Sequence, residues 1–118
     1  MRRLRVRLAL AIVAAAVATA CAQPDPQIRL SAEQIPRHGQ VEVHGAGFTP
    51  QQNVSSHLRR SDGSDFPTLP IMTDGRGEFT HTIDTMVLEL GPHELWVVDD
   101  RSGRTSNHVR FEVTLDYR

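Results

Sequence analysis

The chain of 118 residues contains six histidines, a residue type that can bind a transition metal or transfer protons. They are His38, His44, His57, His81, His93 and His108. Metal sites often use two histidines three or four residues apart, and no two of the six have that spacing. Strands could still bring some of them together, so a histidine-dependent metal-binding protein remains an alternative function. We assign no metal-ligating set.

The motifs of common enzymes are absent from the sequence. His93-Glu94 lacks the second histidine of H-E-x-x-H, and there is no G-x-S-x-G, phosphate-binding loop or dinucleotide fingerprint. Residues 62–65 and 99–100 offer carboxylates in loops, but Asp and Gly are also what tight turns require. We therefore predict no enzymatic activity and no cofactor.

The only tryptophan is the centre of a candidate binding face. In the apolar run 95–98, alternation directs Leu95 and Val97 inward and Trp96 outward. The predicted face comprises Trp96, His57, Arg59, His108 and Arg110. Tryptophan and arginine concentrate at binding hot spots, so this face could recognise a partner. Two alternatives are that Trp96 is a core residue with Leu95 outside, or that Tyr117 in the C-terminal tail covers it.

Short strands must position these residues. Turn signals recur at residues 36–39, 45–50, 61–63, 74–77, 91–92 and 101–103, a spacing of about ten to fifteen residues that is typical of all-β sandwiches. Alternating apolar residues predict strands at 41–43, 54–59, 79–83, 95–98 and 109–113. Weaker candidates at 28–30 and 69–72 bring the number to seven, and 86–90 is either a crossover or an eighth short strand.

Three turn motifs occur in a characteristic order along the chain. They are Gly45-Ala46-Gly47-Phe48-Thr49-Pro50, Asp74-Gly75-Arg76-Gly77-Glu78-Phe79 and Gly91-Pro92-His93-Glu94-Leu95-Trp96-Val97. Together they resemble bacterial immunoglobulin-like modules of the TIG/IPT type over residues 28–114. This resemblance implies an all-β, immunoglobulin-like β-sandwich of about seven strands. We also expect the phenylalanine of the first motif, Phe48, to fold back onto the core.

The first twenty residues are typical of a cleaved signal peptide. Four arginines precede an apolar run, 8–20, that is too short to span a membrane comfortably. Ala18-Thr19-Ala20-Cys21 resembles the lipobox of bacterial lipoproteins, which implies acylation of Cys21 as the new N-terminus. The predicted divisions are a signal peptide (1–20), a tether (21–27) and the sandwich domain (28–118). Ordinary cleavage at a small-x-small site remains open.

Charge and cysteine content restrict the possible partners. All 14 acidic residues lie after residue 20 and the chain has no lysine, so nucleic acid is a poor candidate partner. A single cysteine cannot form an internal disulfide. We expect an exported, non-enzymatic module of the cell envelope, anchored to the membrane through its N-terminal lipid on the periplasmic or extracellular face. It would bind a protein or glycan of the envelope or serve a structural role there, and would be secreted if Cys21 is not lipidated.

Overall fold

The computed structural model describes residues 24–115, and within them the chain forms two stacked β-sheets and no α-helix. The strands are β1 (Gln27–Leu30), β2 (Gln34–Pro36), β3 (Gln40–Ala46), β4 (Asn53–Arg59), β5 (Leu69–Met72), β6 (Phe79–Asp84), β7 (Gly91–Asp99) and β8 (Val109–Thr114). One sheet has the order β1-β3-β6 and the other the order β2-β8-β7-β4-β5. The predicted two-sheet β-sandwich is therefore confirmed.

Alternate side chains fill the space between the sheets, as the sequence pattern predicted. Val41 and Val43 of β3, and Val54 of β4, are almost completely buried, while their sequence neighbours face outward. Phe48 folds onto this core, where its ring lies 5.4 Å from that of Phe79. Burial of a large apolar side chain contributes about 1.5–3 kcal/mol, so this interior stabilises the domain without a disulfide.

One strand was missed and one turn was misplaced by the sequence analysis. Residues 34–36 form β2, which pairs in parallel with β8, so eight strands are present instead of about seven. Ile35 is the only inward apolar residue of β2, and a single residue cannot form the alternating pattern by which strands are predicted. The uncertain segment 86–90 is not a strand, because Thr85–Val87 forms a 3₁₀ turn.

The turn predicted from residue 45 begins two residues later. β3 continues through Ala46, and the chain turns at Gly47, whose φ of 82° favours glycine. Gly45 is needed inside the strand for a different reason, since a Cβ atom there would overlap the Phe79 ring. The sequence analysis attributed this glycine to the turn, but it makes room for an aromatic side chain.

The N-terminal stretch of the described residues packs against the sandwich. Arg104 pairs with Asp25 and donates a hydrogen bond to the carbonyl oxygen of Pro24 at 3.1 Å. The Asn107 side chain accepts from the amide of Ile28 (2.7 Å) and donates to its carbonyl oxygen (3.0 Å). Part of the predicted tether, residues 24–27, is thus held by the domain, and β1 starts at Gln27.

The predicted signal peptide, Cys21 and Tyr117 lie outside the described residues. Residues 24–115 contain no helix that is long and apolar enough to cross a membrane.

Candidate functional site

Three neighbouring strands carry the candidate binding face. β4 and β8 both pair with β7 in antiparallel fashion, on its two sides. On β7, Leu95 and Val97 are almost fully buried, whereas Trp96 points outward and is half-buried. The predicted inward and outward parities of this strand are therefore confirmed, and Trp96 is not part of the core.

The Trp96 ring stands between two imidazoles. The His57 ring is 5.3 Å away and tilted by 3°, and the His108 ring is 4.8 Å away and tilted by 4°. His57 is directly opposite Trp96 in the β4–β7 register, so the strand spacing of about 4.8 Å sets the distance between the rings. We call these three side chains the ring stack. Both faces of the indole are covered, and the ring edges point away from the sheet.

Arginine side chains complete the face to different extents. The guanidinium carbon of Arg59 lies 4.9 Å from the centre of the Trp96 ring, which is cation–π distance. Asp65 accepts a hydrogen bond from Arg59 Nε at 3.1 Å and fixes this guanidinium. Arg110 is exposed and lies opposite Glu94 in the β7–β8 register. The structure thus places all five predicted residues on one face, with Arg110 at its margin.

Glu94 belongs to the same face, although the sequence analysis did not include it. His108 Nδ1 donates a hydrogen bond to its carboxylate at 2.9 Å. This bond lowers the pKa of Glu94, and the positive charges of Arg110 and Arg59 lower it further, against a smaller opposing effect of burial. Glu94 precedes Trp96 by two residues and shares its parity, which is the signal that could have identified it.

The arrangement is suited to recognition by contact. The ring stack presents polar ring edges flanked by two guanidinium groups and a carboxylate, which is the mixture of side chains found at protein-binding hot spots. Because the indole separates His57 from His108, these two imidazoles cannot share one metal ion. Among residues 24–115, no three His, Cys, Asp or Glu side chains form a group that could hold a metal ion.

The remaining histidines of interest lie away from this face. His44 points outward on the other sheet, beside Glu42 (3.2 Å) and Thr80 (3.2 Å). His81 is half-buried on the inward parity of β6, and burial lowers its pKa. His93 is almost fully buried, a placement that the sequence analysis missed although His93 shares the parity of Leu95. Its Nδ1 lies 3.0 Å from the Gly91 carbonyl oxygen, and its Nε2 has no partner among the described residues.

Asp99 ends β7 and serves a structural purpose. Its buried carboxylate accepts hydrogen bonds from the amide and hydroxyl of Thr49 at 2.8 and 2.9 Å. The amides of Arg101 and Ser102 donate to its other oxygen at 3.0 and 3.2 Å. Burial alone raises the pKa of Asp99, but these four donors more than offset it, so the pKa is lowered overall. Asp99 thereby joins the 47–50 turn to the 100–104 turn.

The fold is similar to those of solved structures that have very different sequences. Macromomycin superposes with a TM-score of 0.54 at 12% identity, over 75% of this chain and 99% of its own. The CARDB domain of a Pyrococcus furiosus protein, solved in complex with di-metal ions, gives a TM-score of 0.50 at 12% identity, over 80% of this chain and 96% of its own. No protein-family profile and no characterised sequence matches the chain significantly. At this identity the similarities establish the β-sandwich fold alone.

Proposed function

We propose that the chain is an exported, lipid-anchored, non-enzymatic immunoglobulin-like module of the bacterial cell envelope, and that its Trp96 face binds a protein of that envelope. The observation that carries this proposal is the ring stack: an indole held outward between His57 and His108, with Arg59 against it. The Trp96 ring thus has three ordered contacts, one imidazole on each side and one guanidinium, before any partner arrives. Its binding to a partner therefore costs little side-chain entropy.

The strand order supports the immunoglobulin-like part of the proposal. The chain changes sheet five times, at the β1–β2, β2–β3, β3–β4, β5–β6 and β6–β7 connections, and connections between sheets of this kind occur in Greek-key sandwiches. Two of the three motifs that resemble TIG/IPT modules take up turn positions: residues 47–50 connect β3 to β4, and residues 74–77 precede β6. The third opens β7, the central strand that carries Trp96.

The ring stack favours a protein partner over a glycan. Sugar rings bind aromatic side chains by lying flat on an open ring face, and both faces of Trp96 are already covered by imidazoles. A protein surface can instead contact the ring edges and pair with the exposed guanidinium of Arg110 and the carboxylate of Glu94. A glycan as partner is one of the outcomes that the experiment below distinguishes.

Lipidation of Cys21 would fix which end of the domain faces the membrane. Only two residues separate Cys21 from Pro24, which Arg104 holds, and an extended chain covers about 3.4 Å per residue. The lipid would then lie at most about 10 Å from the sandwich end that carries the 47–50 and 100–104 turns. Each buried CH₂ of the acyl chains contributes about 0.8 kcal/mol, which makes anchoring by several chains effectively permanent.

Site-specific photocrosslinking in living cells tests the binding face. We expect a benzophenone amino acid replacing Arg110 to form a covalent adduct with a protein, and the same probe replacing Thr80, on the outer face of the other sheet, to form none. Adding Trp96→Ala to the Arg110 probe should remove the adduct while the domain stays folded. Equal adducts from both positions, or an adduct with polysaccharide, would contradict binding of a protein at this face.

A separate experiment tests the anchor. We expect the wild-type chain to sediment with membranes and to carry acyl groups on Cys21 by mass spectrometry, and Cys21→Ser to be soluble in the exported fraction. Membrane association that survives Cys21→Ser would show that the lipid anchor is wrong, whatever the crosslinking result.

A further inference from the structure

An apolar crevice opens into the sandwich on the side opposite β1. It lies between β6 of one sheet and the β4–β5 pair of the other, and its volume is about 300 Å³. Its apolar walls and floor include Leu58, Phe66, Leu69, Ile83, Val87 and Leu88. The core residues Leu95 and Leu88, which are 1% and 2% exposed, close the floor of the crevice.

The crevice is accessible because the short strand β5 covers this edge of the sandwich incompletely. β5 has only four residues, includes Pro70, and buries none of them completely. At the rim, Leu69 is 44% exposed and Val87 is 77% exposed. Water in contact with these side chains and with the floor is unfavourable, which is the general physical reason that apolar molecules enter such openings.

The polar groups of the crevice are few and uncharged, with one exception. Ser56 and His81 point inward on their strands, and burial lowers the pKa of His81, which favours its neutral imidazole. The exception is Asp84, whose carboxylate already accepts a hydrogen bond from the amide of Met86 at 2.9 Å and caps the 3₁₀ turn. Among residues 24–115, no cationic side chain lines the crevice. An anionic ligand would therefore lose its hydration and find no counter-charge there. A cationic ligand would meet only the solvent-exposed carboxylate of Asp84, whose attraction water screens.

We infer that this crevice is a binding site for a small, uncharged, apolar molecule. A mostly apolar lining with a few polar groups is typical of ligand pockets, whose volumes start near 300 Å³. At roughly 30 Å³ per water-sized group, the space holds about ten non-hydrogen atoms. The hydroxyl of Ser56 and the imidazole of His81 offer such a molecule one or two hydrogen bonds. This site lies on the inward side of the sandwich edge and is separate from the Trp96 face.

Fluorescence titration with 1-naphthol, an uncharged probe of about eleven non-hydrogen atoms, tests the inference. The full chain carrying Cys21→Ser is used so that no attached acyl group competes. We expect saturable binding with one site per chain, displaced by 1-decanol and at least tenfold less well by decanoate or decyltrimethylammonium. Nonspecific adsorption to an apolar surface would not make displacement of the probe depend on the charge of the competitor.

Adjacent rim substitutions supply a matched pair. Val87 lines the crevice, whereas Met86 is similarly exposed (57%) but does not. We expect Val87→Asp to weaken probe binding about tenfold and Met86→Asp to leave it unchanged. Ser56→Leu should fill the crevice from its floor and abolish binding. If Ser56→Leu does not fold, the comparison of Val87→Asp with Met86→Asp still tests the inference.

Three results would overturn the inference. One is the absence of saturable binding by the wild-type chain, and another is an equal loss in Val87→Asp and Met86→Asp. The third is a dimer in sedimentation that Val87→Asp converts to monomer without changing probe binding, because a second copy would then be the occupant.

Discussion

Neighbouring substitutions on β7 should have opposite consequences for folding and binding. Leu95 is 1% exposed between the sheets, and removing such a leucine side chain typically costs about 3–5 kcal/mol of unfolding free energy. Trp96 is the larger residue but points outward. If the tryptophan were a core residue, Trp96→Ala would be the more damaging of the two changes, so comparing them tests the parity on which the binding face depends.

The cost of Trp96→Ala can be worked from its contacts. Two ring pairs, with His57 and His108, contribute at least about 0.5 kcal/mol each, and the Arg59 cation–π contact about 0.5–1 kcal/mol at an exposed site. With some loss of partly buried apolar area, we expect a total of about 1.5–2.5 kcal/mol. Trp96→Phe keeps one ring in the stack and should cost less than Trp96→Ala.

Urea unfolding followed by circular dichroism measures both variants, since the alanine variant has no tryptophan to report by fluorescence. We expect Leu95→Ala to lower the free energy of unfolding by at least about 0.5 kcal/mol more than Trp96→Ala. We also expect only Trp96→Ala to remove the crosslinked adduct while the domain remains folded. A cost for Trp96→Ala equal to or above that for Leu95→Ala would refute the outward placement of the indole.

Other predictions follow from the packing. Gly45→Ala should cost about 1–3 kcal/mol because its Cβ overlaps an aromatic ring. Gly75→Ala, whose Cβ would make only an ordinary contact with the Gln51 side chain, should be nearly neutral in thermal melts. Asp99→Asn should cost about 1.5–3 kcal/mol at pH 7. The pKa of Asp99 in the folded state lies below its value in the unfolded state. The stability that Asp99 contributes is therefore present above about pH 4 and is lost as the pH falls through the lowered pKa. In unfolding measured as a function of pH, the free energy of unfolding of Asp99→Asn should fall less steeply on the acid side than that of the wild type. Asn107→Ala should speed hydrogen exchange at the Ile28 amide, which donates to the Asn107 side chain. An unchanged exchange rate at Ile28 would contradict the docking of the start of β1 against the domain.

The local pattern predicted most of what depends on one strand at a time. Alternation predicted the inward side of β3 and β4 and the outward direction of Trp96, because a strand turns successive side chains to opposite faces whatever it pairs with. It failed at β2, where one buried isoleucine makes no pattern. It also failed at Gly45, whose requirement comes from Phe79, a residue distant in the chain.

The sequence by itself determined the all-β class and the outward direction of the predicted face residues, since both follow from period-two alternation and from the order of turn residues. Only the tertiary structure decided that β4, β7 and β8 are adjacent in a register that brings the three rings to 4.8–5.3 Å. The same is true of Glu94 beneath His108, of the docked residues 24–27 and of the crevice beside β5. These features depend on contacts between segments far apart in the chain. Their geometry is set by strand pairing and sheet packing, which a local residue pattern does not encode.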